Sequence, residues 1–153
     1  MADLLSRQEL EVEVEFYSFA LQEADDSLVP IRFPEELASE EFATFRTRRI
    51  DLTSGGHSHT ALLSVEVWDG QPPPADDEAG CDAEAEGEIE SVTGELAAYE
   101  MMGISETSIV LGRRDTLWRV RIQCSGRSEV YRLAQVDVPY GVERYLFRFW
   151  PSE

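Results

Sequence analysis

Leu10, Val12, Val14 and Phe16 alternate strictly with Glu9, Glu11, Glu13 and Glu15. A period of two puts one set on each face of a strand, so the segment predicts a half-buried β-strand with its glutamates outward. The apolar phase then shifts to Tyr17, Phe19 and Leu21, which predicts a bulge near Phe16-Tyr17. Trp118, Val120, Ile122 and Cys124 alternate with Arg119, Arg121 and Gln123 in a second clean strand. Further strands are predicted at Phe45 to Leu52, with Arg46, Arg48 and Arg49 outward, and at Ala61 to Trp68, with Leu63, Val65 and Val67 on one face. Weaker patterns predict strands within Glu88 to Tyr99, at Ile109 to Leu111 and at Val130 to Val138. Tyr145, Phe147 and Phe149 oppose Leu146, Arg148 and Trp150 in a last strand that is apolar on nearly both faces, as a central strand would be.

Seven or eight short strands, punctuated by Gly55-Gly56, Ser125-Gly126 and Tyr140-Gly141, predict an all-β fold, an antiparallel β-sandwich. Phe16, Trp118, Phe147 and Phe149 would fill a two-sheet core about 10 Å thick. At most one short helix is expected, over Pro34 to Phe42, with Pro34 in its first turn and Glu35 and Glu36 at the positive end of its dipole. Asp69 to Gly87 reads DGQPPPADDEAGCDAEAEG and holds no large apolar residue. Such a segment cannot bury enough surface to offset its ordering entropy. One domain over 1–153 is therefore expected, with a mobile, acidic, Pro-rich linker at about 70–86.

Charge narrows the partners. Of 153 residues, 31 are acidic and 13 basic, for a net charge of -18, and all 13 basic residues are arginine. Residues 1–68 carry net -9, residues 69–106 net -12 with no base, and residues 107–153 net +3. So acidic a surface opposes direct binding to nucleic acid or to an anionic membrane, since both need a basic patch. No apolar run reaches the length of a membrane span, and the acidic start lacks a signal-peptide core, so a cytoplasmic protein is expected. Cys81 and Cys124 cannot build a disulfide framework; Cys124 is expected inside and Cys81 on the exposed linker.

The chemistry is sparse. His57 and His59 would share one face of a strand, where Asp51 could add a third ligand. No further Cys or His converges there, so the expectation is two exposed imidazoles, with no metal and no cofactor. Gly55-Gly56 is not a phosphate loop, because no lysine follows. No serine sits in a nucleophile elbow, and no carboxylate pair can be singled out. A non-enzymatic protein is the expectation.

The row Glu9, Glu11, Glu13 and Glu15 is the candidate partner-binding site. Alternate residues on a strand lie about 6.8 Å apart, close to the pitch of successive phosphates. A carboxylate row at that pitch could occupy the basic groove of a nucleic-acid enzyme; the bland alternative is a solvated face.

The order of features resembles the competence-associated nuclease inhibitor (ComJ-like) family. The resemblance rests on Gln8 to Phe16, on Leu62 to Trp68 leading into a polar linker, and on Gly87 to Val92. It continues with Gly112 to Cys124 and with the closing Glu143 to Pro151. It implies a short, acidic, mostly β inhibitor of a partner nuclease. The long linker and the arginines of the C-terminal half depart from that pattern. An immunity-type protein against a toxin is a related expectation. A different one is an assembly subunit that pairs sheet edges, with Arg119, Arg121 and Arg148 meeting the acidic stripe of another copy.

Overall fold

The computed structural model describes residues 2–29, 41–73, 81–100 and 103–152. Among them run ten strands: β1 (Leu4–Val14), β2 (Ser18–Glu23), β3 (Ala43–Arg46), β4 (Arg49–Thr53), β5 (His59–Trp68), β6 (Ala83–Ser91), β7 (Glu95–Glu100), β8 (Gly103–Val110), β9 (Thr116–Ser125) and β10 (Tyr140–Pro151). A short helix, α1 (Arg127–Leu133), joins β9 to β10, and a 3-10 turn covers Asp26–Leu28. The expected all-β sandwich is present, as two five-stranded sheets. The first has the order β1-β5-β10-β9-β6 and the second β3-β4-β2-β7-β8.

Leu10, Val12, Val14, Leu63, Val65, Val67, Trp118, Val120, Ile122, Phe147 and Phe149 all point inward from the first sheet into one buried cluster. Phe19, Leu21, Ile50, Leu52, Leu96, Ala98 and Ile109 meet them from the second. β10 lies in the middle of its sheet, which is why it is apolar on both faces. Phe147 stacks between Tyr145 at 6.0 Å and Phe149 at 6.4 Å.

Several expectations change. Ten strands run through the described residues because three of the predicted ones, Leu10 to Leu21 among them, are pairs and one is not a strand. Phe45 to Leu52 is the hairpin β3–β4, turned at Arg48, whose φ is 60. Glu88 to Tyr99 spans β6 and β7, which lie in different sheets. Val130 to Val138 is not a strand: it holds most of α1 and the turn after it, with Val130 as the helix's buried residue. The sandwich is not wholly antiparallel, because β10 runs parallel to β5. The predicted helix over Pro34 to Phe42 lies largely outside the described residues; Glu41 and Phe42 form a bend.

The linker is shorter than expected at its C-terminal end. Residues 83–86 belong to β6, paired Ala83↔Cys124, Glu84↔Gln123, Ala85↔Ile122 and Glu86↔Arg121. The inward face of β6 is small because the second sheet fills the space: a Cβ on Gly87 would meet the Phe45 ring at 2.7 Å. Residues 74–80 lie outside the described residues.

Phe16 does not enter the core. The predicted bulge is a two-residue turn that carries the chain from one sheet to the other, with Glu15 and Ser18 bridged across it. Phe16 and Tyr17 have φ of 53 and 63, the left-handed pair of a type I′ turn. Each left-handed non-glycine residue costs roughly 1–2 kcal/mol.

Candidate partner-binding surface

Since β1 is an edge strand, its outward residues stand along one border of the first sheet's solvent face. Glu9, Glu11 and Glu13 are exposed there in a row. Glu15 leaves the row: it lies beyond the strand, half-buried, and accepts a hydrogen bond from the Ser58 hydroxyl at 2.9 Å. Glu9 pairs with Arg7 at 3.4 Å, and Glu11 accepts from the Tyr140 hydroxyl, a bond that raises the Tyr140 pKa.

The opposite border carries a second row that the linker reading hid. Glu84, Glu86, Glu88 and Glu90 alternate along β6 and are all exposed. Four inter-strand spacings place the two rows about 19 Å apart. The sequence signal was present as a period of two in Glu84 to Glu90. The intervening Ala85 and Gly87 are too small to read as a core face, so the period alone does not mark a strand.

Between the rows the registers align Arg7, Glu66, Arg148, Arg121 and Glu86 across all five strands. Arg119 and Arg121 bind Glu86 at 2.8 and 3.2 Å, and these bonds hold the Glu86 carboxyl below its ordinary pKa. Arg148 is buried rather than exposed and donates to the Pro73 carbonyl at 2.7 Å. The arginines expected to reach a second copy are thus engaged within this chain. The free edge of β1 is also crossed. Gln8 bonds Ser108 O and Val110 N of β8, and the Glu13 N–H donates to Glu100 at 2.6 Å. A groove of about 250 Å³ runs along the β1 side, lined by Glu9, Glu11, Leu62, Ser64 and Arg144.

The two histidines separate. His57 is exposed in the loop before β5, where its ring meets Phe16 at 5.0 Å and Tyr17 at 5.2 Å, both edge-on. His59, the first residue of β5, is buried. Asp51 is taken by Arg46 and Arg49. Among the described residues no group of three metal-ligating side chains converges. Both cysteines are free; Cys124 is buried as expected, whereas Cys81 is partly covered rather than fully exposed.

His59 joins a network that the sequence did not announce. The Ser54 hydroxyl donates to Glu143 Oε1 at 2.7 Å and lies 2.7 Å from His59 Nε2. The Gly55 N–H donates to Glu143 Oε2 at 2.8 Å, and Gly56 N–H to Ser54 Oγ at 3.1 Å. Serine, histidine and carboxylate meet here, but all three are buried, and the serine bonds the carboxylate directly. A nucleophile needs an open face and a base oriented by the acid. This network instead ties the 54–58 loop to β10. Gly55 is required because a Cβ would lie 2.5 Å from the Arg127 carbonyl of α1.

The network sets a pH dependence. Ser54 Oγ gives its one proton to Glu143, so Nε2 of His59 is the donor to Ser54, and Nδ1 is buried without a partner. Burial outweighs the nearby Glu143 charge and holds the His59 pKa below its ordinary 6.5. The unfolded chain then takes up the histidine proton first as pH falls, so the stabilisation present above pH 6.5 is lost on acidification through the folded value. Chemical denaturation of wild type and His59→Gln at pH 7.5 and at pH 5 checks this. Wild type should lose more stability between the two; equal losses would place the dependence elsewhere.

No helix among the described residues is long and apolar enough to cross a membrane. The chain matches no protein-family model, and no curated protein matches its sequence. Two solved structures share its fold. One is ComJ from Bacillus subtilis, an inhibitor of the DNA degrading activity of NucA, with a TM-score of 0.64 and 11% identity over 99% of both chains. The other is the product of crocagin biosynthetic gene J, with a TM-score of 0.62 and 12% identity over 97% of this chain and 100% of that one.

Proposed function

We propose that this protein is a non-enzymatic inhibitor or immunity-type protein that occupies the basic surface of a partner protein, a nuclease or toxin, and binds neither nucleic acid nor membrane itself. The observation that carries the reading is the pair of glutamate rows on the edge strands of one sheet face. Both rows are held on strands, so their carboxylates are fixed in pitch before any partner arrives. The fold shared with an inhibitor of a DNA-degrading nuclease supports the same reading. Two free thiols suit a reducing compartment, in keeping with a cytoplasmic protein.

Charge of this kind speeds encounter and fixes orientation more than it adds affinity, because exposed ion pairs contribute little each. The test is a triple replacement of the row that the strand presents, Glu9→Gln, Glu11→Gln and Glu13→Gln, which keeps shape and removes charge; Glu15, held by Ser58, is left in place. With the partner first recovered from the native cell and purified, the association rate should fall several-fold at low salt. The gap should close as salt rises. An unchanged rate at every salt concentration would make the row a solvated face. Assembly of many copies is the competing outcome, and it would show as oligomers that dissociate with salt.

A further inference from the structure

Phe16 and Tyr17 stand at the tip of the β1–β2 turn, 60% and 39% exposed. Their backbone is left-handed at both positions, where asparagine and glycine are the residues of choice. Two large rings there neither relax the turn nor fill the core. The tip is nonetheless rigid. Tyr17 N–H donates to the His57 carbonyl at 3.1 Å, Ser54 N–H donates to the Tyr17 carbonyl at 2.7 Å, and both rings pack edge-on against His57. His57 Nδ1 lies 2.7 Å from the Ser58 hydroxyl, which donates to Glu15.

The strand that leads into the turn is acidic on its outer face, with Arg144 lining the groove beside Glu9 and Glu11. The turn continues directly from Glu11, Glu13 and Glu15, and Tyr140 reaches Glu11 from the same end of the sheet. Pre-ordered aromatics at the end of a charged row combine the two parts of a binding hot spot: the rings supply affinity and the charges supply steering.

We propose that the Phe16-Tyr17 turn is the apolar anchor of the partner surface, entering a pocket on a basic protein. The inference rests on the reading above for the sign of the partner's charge, not for its activity.

The test uses the full chain in its native cell. A photo-crosslinking residue is placed by Phe16→p-benzoylphenylalanine, and in a control by Glu95→p-benzoylphenylalanine, exposed on the second sheet at the far end of the sandwich. The expected result is an adduct from position 16 alone, with a protein of pI above about 9. Excess wild-type chain should compete it away, and the double variant Phe16→Asn, Tyr17→Gly should compete about tenfold less well. The same double variant should melt about 2–4 °C above wild type, because it relaxes the turn. No adduct from position 16, equal yields from both positions, an adduct with an acidic protein or a second copy of this chain, or a lower melting temperature of the double variant would each overturn the anchor. A basic partner that is not a nuclease or toxin would uphold the anchor and remove the proposed function. A nuclease or toxin whose association the glutamate replacements slow, but which is not captured from position 16, would do the reverse.

Discussion

Replacing Phe147 with alanine should lower the unfolding free energy by about 3–5 kcal/mol. The ring is wholly buried on the central strand of its sheet, stacked between Tyr145 and Phe149. Its removal takes away apolar surface and also leaves a cavity. The flanking strands β5 and β9 are held by their ladders and cannot collapse inward to close it. A domain has only about 5–15 kcal/mol in total, so the variant should be visibly close to its threshold. Urea denaturation checks this: the midpoint should fall while the slope stays constant. Phe16→Ala is the matched contrast. The same chemical change at an exposed turn should move the midpoint little, and a loss as large as that of Phe147→Ala would mean that the turn is part of the core.

Glu143→Ala should cost about 3 kcal/mol through polar rather than apolar loss. The carboxylate is fully buried and receives the Gly55 N–H and the Ser54 hydroxyl. Truncation leaves both donors without their acceptor in a place where water does not replace it. The predicted signature is local as well as global. Amide exchange at Gly55 should accelerate far more than exchange in the β9–β10 ladder. Glu143→Gln should restore only part of the loss, because its amide supplies one acceptor where the site has two donors. Uniform exchange across the chain would show that the carboxylate does not pin the loop.

The strands that could be read from the sequence were those whose two faces meet different surroundings. In β1, β5 and β9 the large apolar residues recur every second position, because one face meets the core and the other meets water. β10 was legible as central for the opposite reason: its outer face is covered too. Each misreading has a local cause. The β3–β4 hairpin turns at Arg48 in a left-handed conformation, with no glycine or asparagine to mark it. The 130–138 segment alternates like a strand, yet only Val130 is buried within α1, and Val136 and Val138 are exposed. The first half of β6 reads as linker because its inward residues there are alanine and glycine, and that choice makes sense only beside the Phe45 ring from the other sheet.

The candidate surface divides along the same line. The acidity of the chain, the alternation of Glu9, Glu11 and Glu13, and the outward aim of those residues follow from the sequence alone, because side-chain direction on a strand depends only on its period. Which strands become neighbours depends on contacts between residues far apart in the chain, and local pattern carries none of that information. Only the tertiary structure therefore decided that β6 closes the far edge of the same sheet and sets a second glutamate row opposite the first. It also decided that β10 lies parallel to β5, and that Glu15 and Phe16 leave the strand pattern at a turn between sheets. The same holds for Glu143 and Glu23, each among the commonest residue types in this chain and each wholly buried. Glu23 accepts from Ser91 and Thr93 at 2.8 and 2.7 Å, much as Glu143 accepts from Ser54 and Gly55. A buried carboxylate persists only where donors surround it, and those donors come from residues 68 to 89 positions distant in sequence.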